Sequence, residues 1–539
     1  MKKKYLLLAL ALILPLTFAG AHPMQRLGQS ADETEARKRI ANDFAEALLL
    51  AQEKSASAVD YDRAAKASIN GMLRTLDPHS MYFDAKQWEE FQNDQRSRYF
   101  GIGSAIVQRN GKVYIWAPTD GTASYRAGLR YGDQITAING ESTEGWSQSQ
   151  VRSKLIGPDG TQVTVKVERL GTGPLEFKLT RGAVPLPSLT NTFMLPGNIG
   201  YINLDRGFNT TTYDEVRRAI ADLRQQGMTS LVFDLRQNHG GLVDQAWRVS
   251  NLFLYKDQKI LSMRGRPASF PNRDYMATNT APDDYPIVVL ISRETASAAE
   301  IVAGALQDHD RARLVGENSF GKGLVQNPFP LRDGSALVLT TGHYYTPSGR
   351  LIQRDYSGRS FYDYYLKRGD KEAVQHTEEM KTDTGRPVYG GGGIDPDVKV
   401  KVSAHENEML RVWIEPVFQF TRELVNGQVA GLGEFKIDRS NDHRHRLAAG
   451  EYQASDKVLA AFKKYLGEHP ELKADAARVD KDADWLKRRI RYEVVTAAYG
   501  EEIARQVLNE GDAQWQRAVA ELPKAKTQAA DYRRLASSR

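Results

Sequence analysis

Cysteine is missing from all 539 residues. Its absence removes disulfides, thiol nucleophiles, thiolate metal sites and a lipid-attachment cysteine together. Long apolar runs are missing too. The longest, Tyr5–Phe18, has ~14 residues and falls short of the roughly 20 that a bilayer span needs. Three lysines precede it and Ala19-Gly20-Ala21 follows it, which is the pattern of an export signal over residues 1–21. The expected address is a bacterial-type periplasm, with attachment to the inner membrane if the signal is not cleaved. A strong charge of one sign is also lacking. The net charge is +6, three of it in Lys2–Lys4, and the remainder is too small to argue for nucleic acid. No low-complexity tract dominates and no repeat recurs at solenoid periods. A chain of this length implies three or four domains rather than one core.

Clustered metal ligands are equally scarce. His79, in Leu76-Asp77-Pro78-His79-Ser80, has no partner pattern and reads as a turn residue. His443 and His445 lie in Asp442-His-Arg-His-Arg446, where the arginines repel cations and a solvated loop is expected. No metal and no cofactor are therefore expected. Gly321-Lys322-Gly323 lacks the Gly-x-x-x-x-Gly-Lys-Ser/Thr spacing, so a phosphate-binding P-loop is excluded.

What is present changes character along the chain. Residues 31–95 have helical periodicity, with Ile40, Phe44 and Leu48 on one face and Ile69, Met72, Leu73 and Leu76 on another. From Tyr99 to Thr180 short alternating runs appear at 103–108, 113–117, 134–139, 163–169 and 175–180. Short helices are expected between them at 123–129 and 147–155, giving a small, partly open β-barrel. Tyr99-Phe100-Gly101-Ile102-Gly103 and Ala127-Gly-Leu-Arg-Tyr-Gly-Asp-Gln-Ile135 resemble the carboxylate-binding loop and the glycine turn of a PDZ domain. The resemblance implies that an extended peptide adds as a strand and rests its C-terminal carboxylate on loop N–H groups. The plainer alternative is a PDZ-like fold that only packs on its neighbour.

Past Pro185 and Pro187, strands and helices alternate. Strands are expected at 199–204, 230–235, 287–291 and 314–316, with helices at 211–226, 243–254 and 298–306. That order argues for a largely parallel sheet, whose sites collect at the C-terminal strand ends. A further strand is expected at 336–345, a long flap or insertion at 356–384, and charged helices from 404 to 539, for packing or oligomerisation.

Two strand ends carry chemistry. Pro286–Ser292 runs into Arg293-Glu-Thr-Ala-Ser297-Ala298-Ala-Glu-Ile301, so Ser297 sits at a strand-to-helix corner. Free N–H groups and the positive helix end collect at such a corner. A hydroxyl there can attack a carbonyl while the Ala298 N–H holds the oxyanion. Alternatively, Thr295 or Ser297 simply caps the helix. The other strand end is Phe233-Asp-Leu-Arg-Gln-Asn-His-Gly240-Gly241, whose paired glycines suit a second oxyanion donor or only a tight turn. Lys322 is either a solvated charge or, turned inward beside Ser297, a neutral amine able to act as base.

Taken in order, these stretches resemble the carboxy-terminal processing (tail-specific) serine proteases that carry a PDZ domain. The carrying motifs are the PDZ pair, Asp234–Gly241, Thr295–Ile301, Phe320-Gly-Lys322-Gly-Leu-Val-Gln326 and Tyr389–Pro396. The resemblance implies Ser297 as nucleophile, Lys322 as general base and Gln326 as the residue that orients the lysine. It implies Ala298 and Gly240 or Gly241 as the oxyanion hole, and Asp308 as a third charge-relay member. Substrates would be proteins with exposed apolar C-terminal tails, with room for an adaptor or activator and for a homo-oligomer. The implied fold is multidomain α+β. It comprises the signal (1–21), a helical N-terminal region (31–95), a PDZ partly open β-barrel (96–182), a crotonase/ClpP-like α/β protease core (183–402) and a helical C-terminal domain (403–539). Two departures stand out. His239 replaces the commoner proline, and Leu155-Ile156-Gly157 lacks the arginine that several relatives carry before that glycine. The rival readings are a non-catalytic PDZ scaffold and a retinoid- or acyl-binding relative of the α/β layer.

Overall fold

Apolar residues alternate in direction along the central strands, and helices cover both sides of the sheet they form. The computed structural model describes residues 31–95, 97–265, 272–357, 364, 376–402 and 404–537. The expected export signal and most of the expected flap lie outside the described residues.

The N-terminal region begins with α1 (Ala31–Lys54) and α2 (Tyr61–Arg74). Asp60 caps α2 by accepting the Arg63 N–H at 3.0 Å. After the expected turn at Leu76–Ser80 comes a strand that the sequence reading did not expect, β1 (Met81–Phe83), and then α3 (Ala85–Gln95). Pro78 breaks the helical pattern, and Met-Tyr-Phe pairs with a distant strand instead.

β2 (Arg98–Gly101) leads into an antiparallel sheet of β3 (Ser104–Arg109), β4 (Lys112–Pro118), β5 (Gln134–Ile138), β6 (Glu141–Ser142), β7 (Gln162–Arg169) and β8 (Gly173–Thr180). The order is β3-β4-β5-β7-β8, with β6 on β5. Helices α4 (Ala123–Ala127) and α5 (Gln148–Leu155) close it around Ile102, Ile115, Ile138, Val151 and Val165. β9 (Gly182–Pro185) returns to pair with β2.

The next sheet has the order β10 (Leu189–Leu195), β11 (Ile199–Leu204), β12 (Ser230–Asp234), β15 (Ile287–Ile291), β16 (Arg313–Gly316), β21 (Val398–Lys399). It is parallel from β11 onward, with β10 antiparallel at the edge. On one face Ile202, Phe233, Val289 and Ile291 meet α6 (Thr212–Gln225), α7 (Val243–Asn251) and α8 (Ala298–Asp308). On the other, Tyr201, Val232, Val288 and Leu290 meet Ala518, Leu522 and Ala525 of the last helix. Of a second, antiparallel sheet the sequence reading anticipated only the strand at 336–345. That sheet joins β1 and β13 (Lys259–Gly265), β14 (Arg273–Met276), β17 (Leu324–Pro330) and β18 (Ala336–Tyr345). A short pair, β19 (Glu379–Lys381) and β20 (Pro387–Tyr389), completes the strands.

The C-terminal helices are α9 (Ala404–Val425), α10 (Asp456–Glu468), α11 (Ala483–Tyr499), α12 (Glu501–Asn509) and α13 (Ala513–Ser537). They do not form one separate body. α13 covers the parallel sheet and pairs Glu521 with Arg313, while α9 and α11 dock the β3–β8 sheet. Arg422 donates to the Gly132 carbonyl at 2.7 Å and Tyr131 to Glu493 at 2.6 Å. His443 and His445 are packed rather than solvated. His445 stacks on Tyr499 and bonds Glu451, and His443 lies against Tyr125.

Candidate active site

Ser297 occupies the turn between β15 and α8 with φ +58 and ψ −118. A positive φ disfavours any residue with a Cβ and strains the backbone by about 1–3 kcal/mol unless neighbours enforce it. Two neighbours do. Glu300 accepts the Ser297 N–H at 2.7 Å, and the Tyr344 hydroxyl donates to the Ser297 carbonyl at 3.1 Å. Thr295 does not cap the helix. Its hydroxyl donates to the Leu235 carbonyl and accepts from the Ser292 N–H, pinning the ends of β12 and β15 together.

Glu300 also reaches the lysine loop. Its carboxylate accepts the Gly321 N–H at 2.7 Å and the Lys322 N–H at 2.9 Å, along with the Ser319 hydroxyl. One buried carboxylate therefore holds the backbones of Ser297 and Lys322 together. Burial raises its pKa, and those four donors oppose the rise. The sequence holds a signal for it, since Ser297 and Glu300 have capping-box spacing.

Lys322 is fully buried and donates to the Gln326 Oε1 at 2.7 Å. Burial lowers its pKa to about 7, against the opposing pull of Asp77 and Glu300. Near neutral pH much of it is a free amine, the form a general base requires.

The glycine turn packs on the serine corner. The Ala296 N–H donates to the Asn238 carbonyl at 2.9 Å, and His239 Nδ1 lies 3.2 Å from the Glu294 carbonyl oxygen. The Gly240 N–H is already held by Asn238 Oδ1 at 2.8 Å. Among the described residues, the N–H groups of Gly241 and Ala298 have no such partner. A side chain at Gly241 would put Cβ 2.2 Å from the Phe208 carbonyl oxygen, so glycine is required.

Asp308 does not join this constellation. It ends α8 ten residues beyond Ala298, about 15 Å along the axis. Its oxygens are bound by Arg350 at 2.6 Å and by Ser348 N–H and Oγ at 3.0 and 2.7 Å. In this position the carboxylate neutralises a buried arginine. The sequence reading missed a different group. His79 is fully buried, and its carbonyl accepts the Gln326 Nε2–H at 2.6 Å.

Part of the expected carboxylate-binding stretch is strand. Tyr99, Phe100 and Gly101 belong to β2 and pair with β9. Among the described residues, only the Ile102 and Gly103 N–H groups of that loop lie outside a strand and lack a partner. Ile102 itself packs into the core with Val151 and Leu155 of α5.

Residues 198–358 match peptidase family S41 and residues 115–169 match the PDZ domain. The carboxy-terminal-processing protease of Bartonella bacilliformis is 38% identical over 299 residues, which cover 54% of this chain and 68% of that one. The chain belongs to peptidase family S41. It is a serine-type endopeptidase of the carboxy-terminal processing class with an associated PDZ domain. The carboxy-terminal processing protease CtpA of Bacillus subtilis is 34% identical over 297 residues, 55% of this S41 chain and 63% of the relative. A solved structure of a photosystem II D1 C-terminal processing protease is 26% identical, with a TM-score of 0.34, covering 64% of this chain and 84% of that one.

Proposed function

We propose that this peptidase cuts exported proteins whose apolar C-terminal tails seat in the PDZ groove, using Ser297 as nucleophile and Lys322 as general base. The observation that carries this reading is the buried lysine, held beside the strained Ser297 turn by Glu300 and lowered to about 7 by burial. The neutral Lys322 amine takes the Ser297 Oγ proton as Oγ attacks the scissile carbonyl. The oxyanion rests on the Ala298 and Gly241 N–H groups. Lys322 then gives the proton to the departing amine, leaving an acyl-ester on Ser297. Water attacks the ester and passes its proton to Lys322, which returns it to Ser297 Oγ as the acyl C–Oγ bond breaks and the acid leaves.

Ser297 and Lys322 are both fully buried, so substrate enters only after the site opens. A cavity of about 740 Å³, lined by Gln237, Ser292, Arg293, Glu294, Trp485 and Arg505, adjoins the outer side of the serine corner. Its lining, which mixes polar and apolar surface and does not include Ser297 or Lys322, offers a path for the polypeptide toward the corner. In this reading residues 96–182 sense the tail, the crotonase/ClpP-like layer of 183–402 cleaves, and 403–539 brace both. Exposed Ile40, Phe44, Leu49 and Leu50 on α1 favour a homo-oligomer or an adaptor at that face.

The test compares parent and Ser297→Ala protein on an unfolded reporter with an apolar tail, free or amidated. Cleavage by the parent alone, weakened by amidation, is expected. Binding without cleavage by the parent would favour a scaffold. Gly103→Ala tests the tail sensor separately. Its Cβ would fall 2.3 Å from Thr122 at φ +77, distorting the loop. Losing one charge-assisted bond there is expected to raise KM about tenfold or more with kcat unchanged. An unchanged KM would remove the carboxylate from the recognition scheme.

A further inference from the structure

We infer that the Asp77–Ser80 turn is a positioning element of the active site: through the His79 carbonyl it fixes the Gln326 side-chain amide, and with it the Lys322 amine. This inference rests on the Ser297–Lys322 reading. The turn lies outside both regions that match known families.

A glutamine amide has an accepting and a donating end, and nothing in the residue itself decides which faces a lysine. Here the far end decides. Gln326 Nε2 donates to the His79 carbonyl at 2.6 Å, which commits Oε1 to Lys322 Nζ at 2.7 Å. The carbonyl is itself fixed by Asp77. Asp77 Oδ1 accepts the N–H groups of His79 and Ser80, both at 2.7 Å, and Oδ2 accepts the Ser80 hydroxyl at 2.6 Å. The Ser80 hydroxyl in turn accepts the Thr340 N–H at 3.1 Å. Thr340 is the ladder partner of Gln326, at the register shift between Val325 and Gln326. Both ends of the relay are thus anchored at one point of β18, and β1 continues the anchor through Met81–Val338 pairing.

Charge supports the assignment. Asp77 and Glu300 are the carboxylates that favour the charged form of Lys322. The His79 ring lies 3.2 Å from the Tyr364 hydroxyl, and burial, then Lys322 and Arg354, hold its pKa far below the usual histidine range. It therefore adds no second cation beside the lysine.

The experiment is a kinetic double-mutant cycle on the full chain with Asp77→Asn and Gln326→Ala. Asp77→Asn is expected to lower kcat about 10- to 100-fold with little change in KM. It should also move the acidic limb of the pH profile to lower pH, because a negative charge that favours the lysine proton is gone. In the Gln326→Ala background, Asp77→Asn should change the pH-independent plateau of kcat no further, only the position of the limb. Ser80→Ala, a milder change that keeps the carboxylate, should lower kcat without moving the limb, and it carries the test if Asp77→Asn does not fold. Additive losses, an unmoved limb in Asp77→Asn, or a kcat loss explained by a matching fall in unfolding temperature would overturn the inference. Lys322→Ala run alongside separates the two readings. If it cleaves at the parent rate, the base assignment fails, whatever Asp77 does.

Discussion

Lys322→Ala is expected to lower kcat on a tail-bearing substrate by on the order of 10⁴-fold or more, because nucleophile and base act as one unit. KM should stay near the parent value if, as proposed, the tail is held remotely by the PDZ domain. Lys322→Arg should be equally inactive, because a guanidinium stays protonated and cannot accept the serine proton. In the parent, kcat/KM should rise with pH through about 7, the value to which burial lowers Lys322. The sign is fixed by the chemistry: only the neutral amine is a base. The same burial has an opposite effect on stability. The unfolded chain holds the lysine proton more tightly than the folded one, so the folded state is penalised most below about 7, and the penalty fades as pH rises toward the ordinary lysine value. Lys322→Met should therefore be inactive yet unfold at a higher temperature than the parent at pH 7. Kinetics and thermal unfolding of the same preparations check both. A Lys322→Ala variant that keeps a tenth or more of parent activity would falsify the base assignment.

Local pattern carried the serine corner and failed where partners lie far apart in sequence. Ile287–Ile291 is short, β-branched and buried, and it leads directly into a good helix, so the strand-to-helix corner at Ser297 was legible. The strain at Ser297 was not, because it depends on Tyr344, 47 positions away. The His79–Gln326 bond spans 247 positions, and nothing around His79 hints at it. β17 was hidden by Pro328 and Pro330, which demote a strand by local rules but are tolerated here because β17 is an edge strand that pairs only with β18. α13 read as a charged helix because its buried stripe is mostly alanine, which gives little amphipathic signal. The partner of Asp308, Arg350, is 42 positions away, and nothing around Asp308 in the sequence points to it.

Asp308→Ala is expected to destabilise the fold by about 3–5 kcal/mol, since it strands a buried arginine. Arg350 and Asp308 are 0% and 1% exposed, and they meet at 2.6 Å. The other Arg350 contacts are neutral: Gln307 Oε1 at 2.7 Å, the Tyr389 carbonyl at 3.1 Å and Thr346 Oγ1 at 3.3 Å. None of them can replace the lost charge. Asp308→Asn keeps an acceptor and should cost less, though the arginine remains unbalanced. The consequence for activity follows from what the pair holds. Arg350 begins the segment whose Gln353 side chain accepts the Gly323 N–H at 2.8 Å and whose Arg354 N–H donates to the Gly321 carbonyl at 2.9 Å. That segment brackets Lys322 on both sides, so losing the pair loosens the lysine loop without removing any reacting group. Activity should fall together with thermal stability and recover as temperature is lowered, with the acidic limb of the pH profile unmoved. A charge-relay residue would behave in the opposite way: kcat would fall at every temperature while the unfolding transition stayed in place. Measuring kcat and the unfolding midpoint of Asp308→Ala across temperature distinguishes the two.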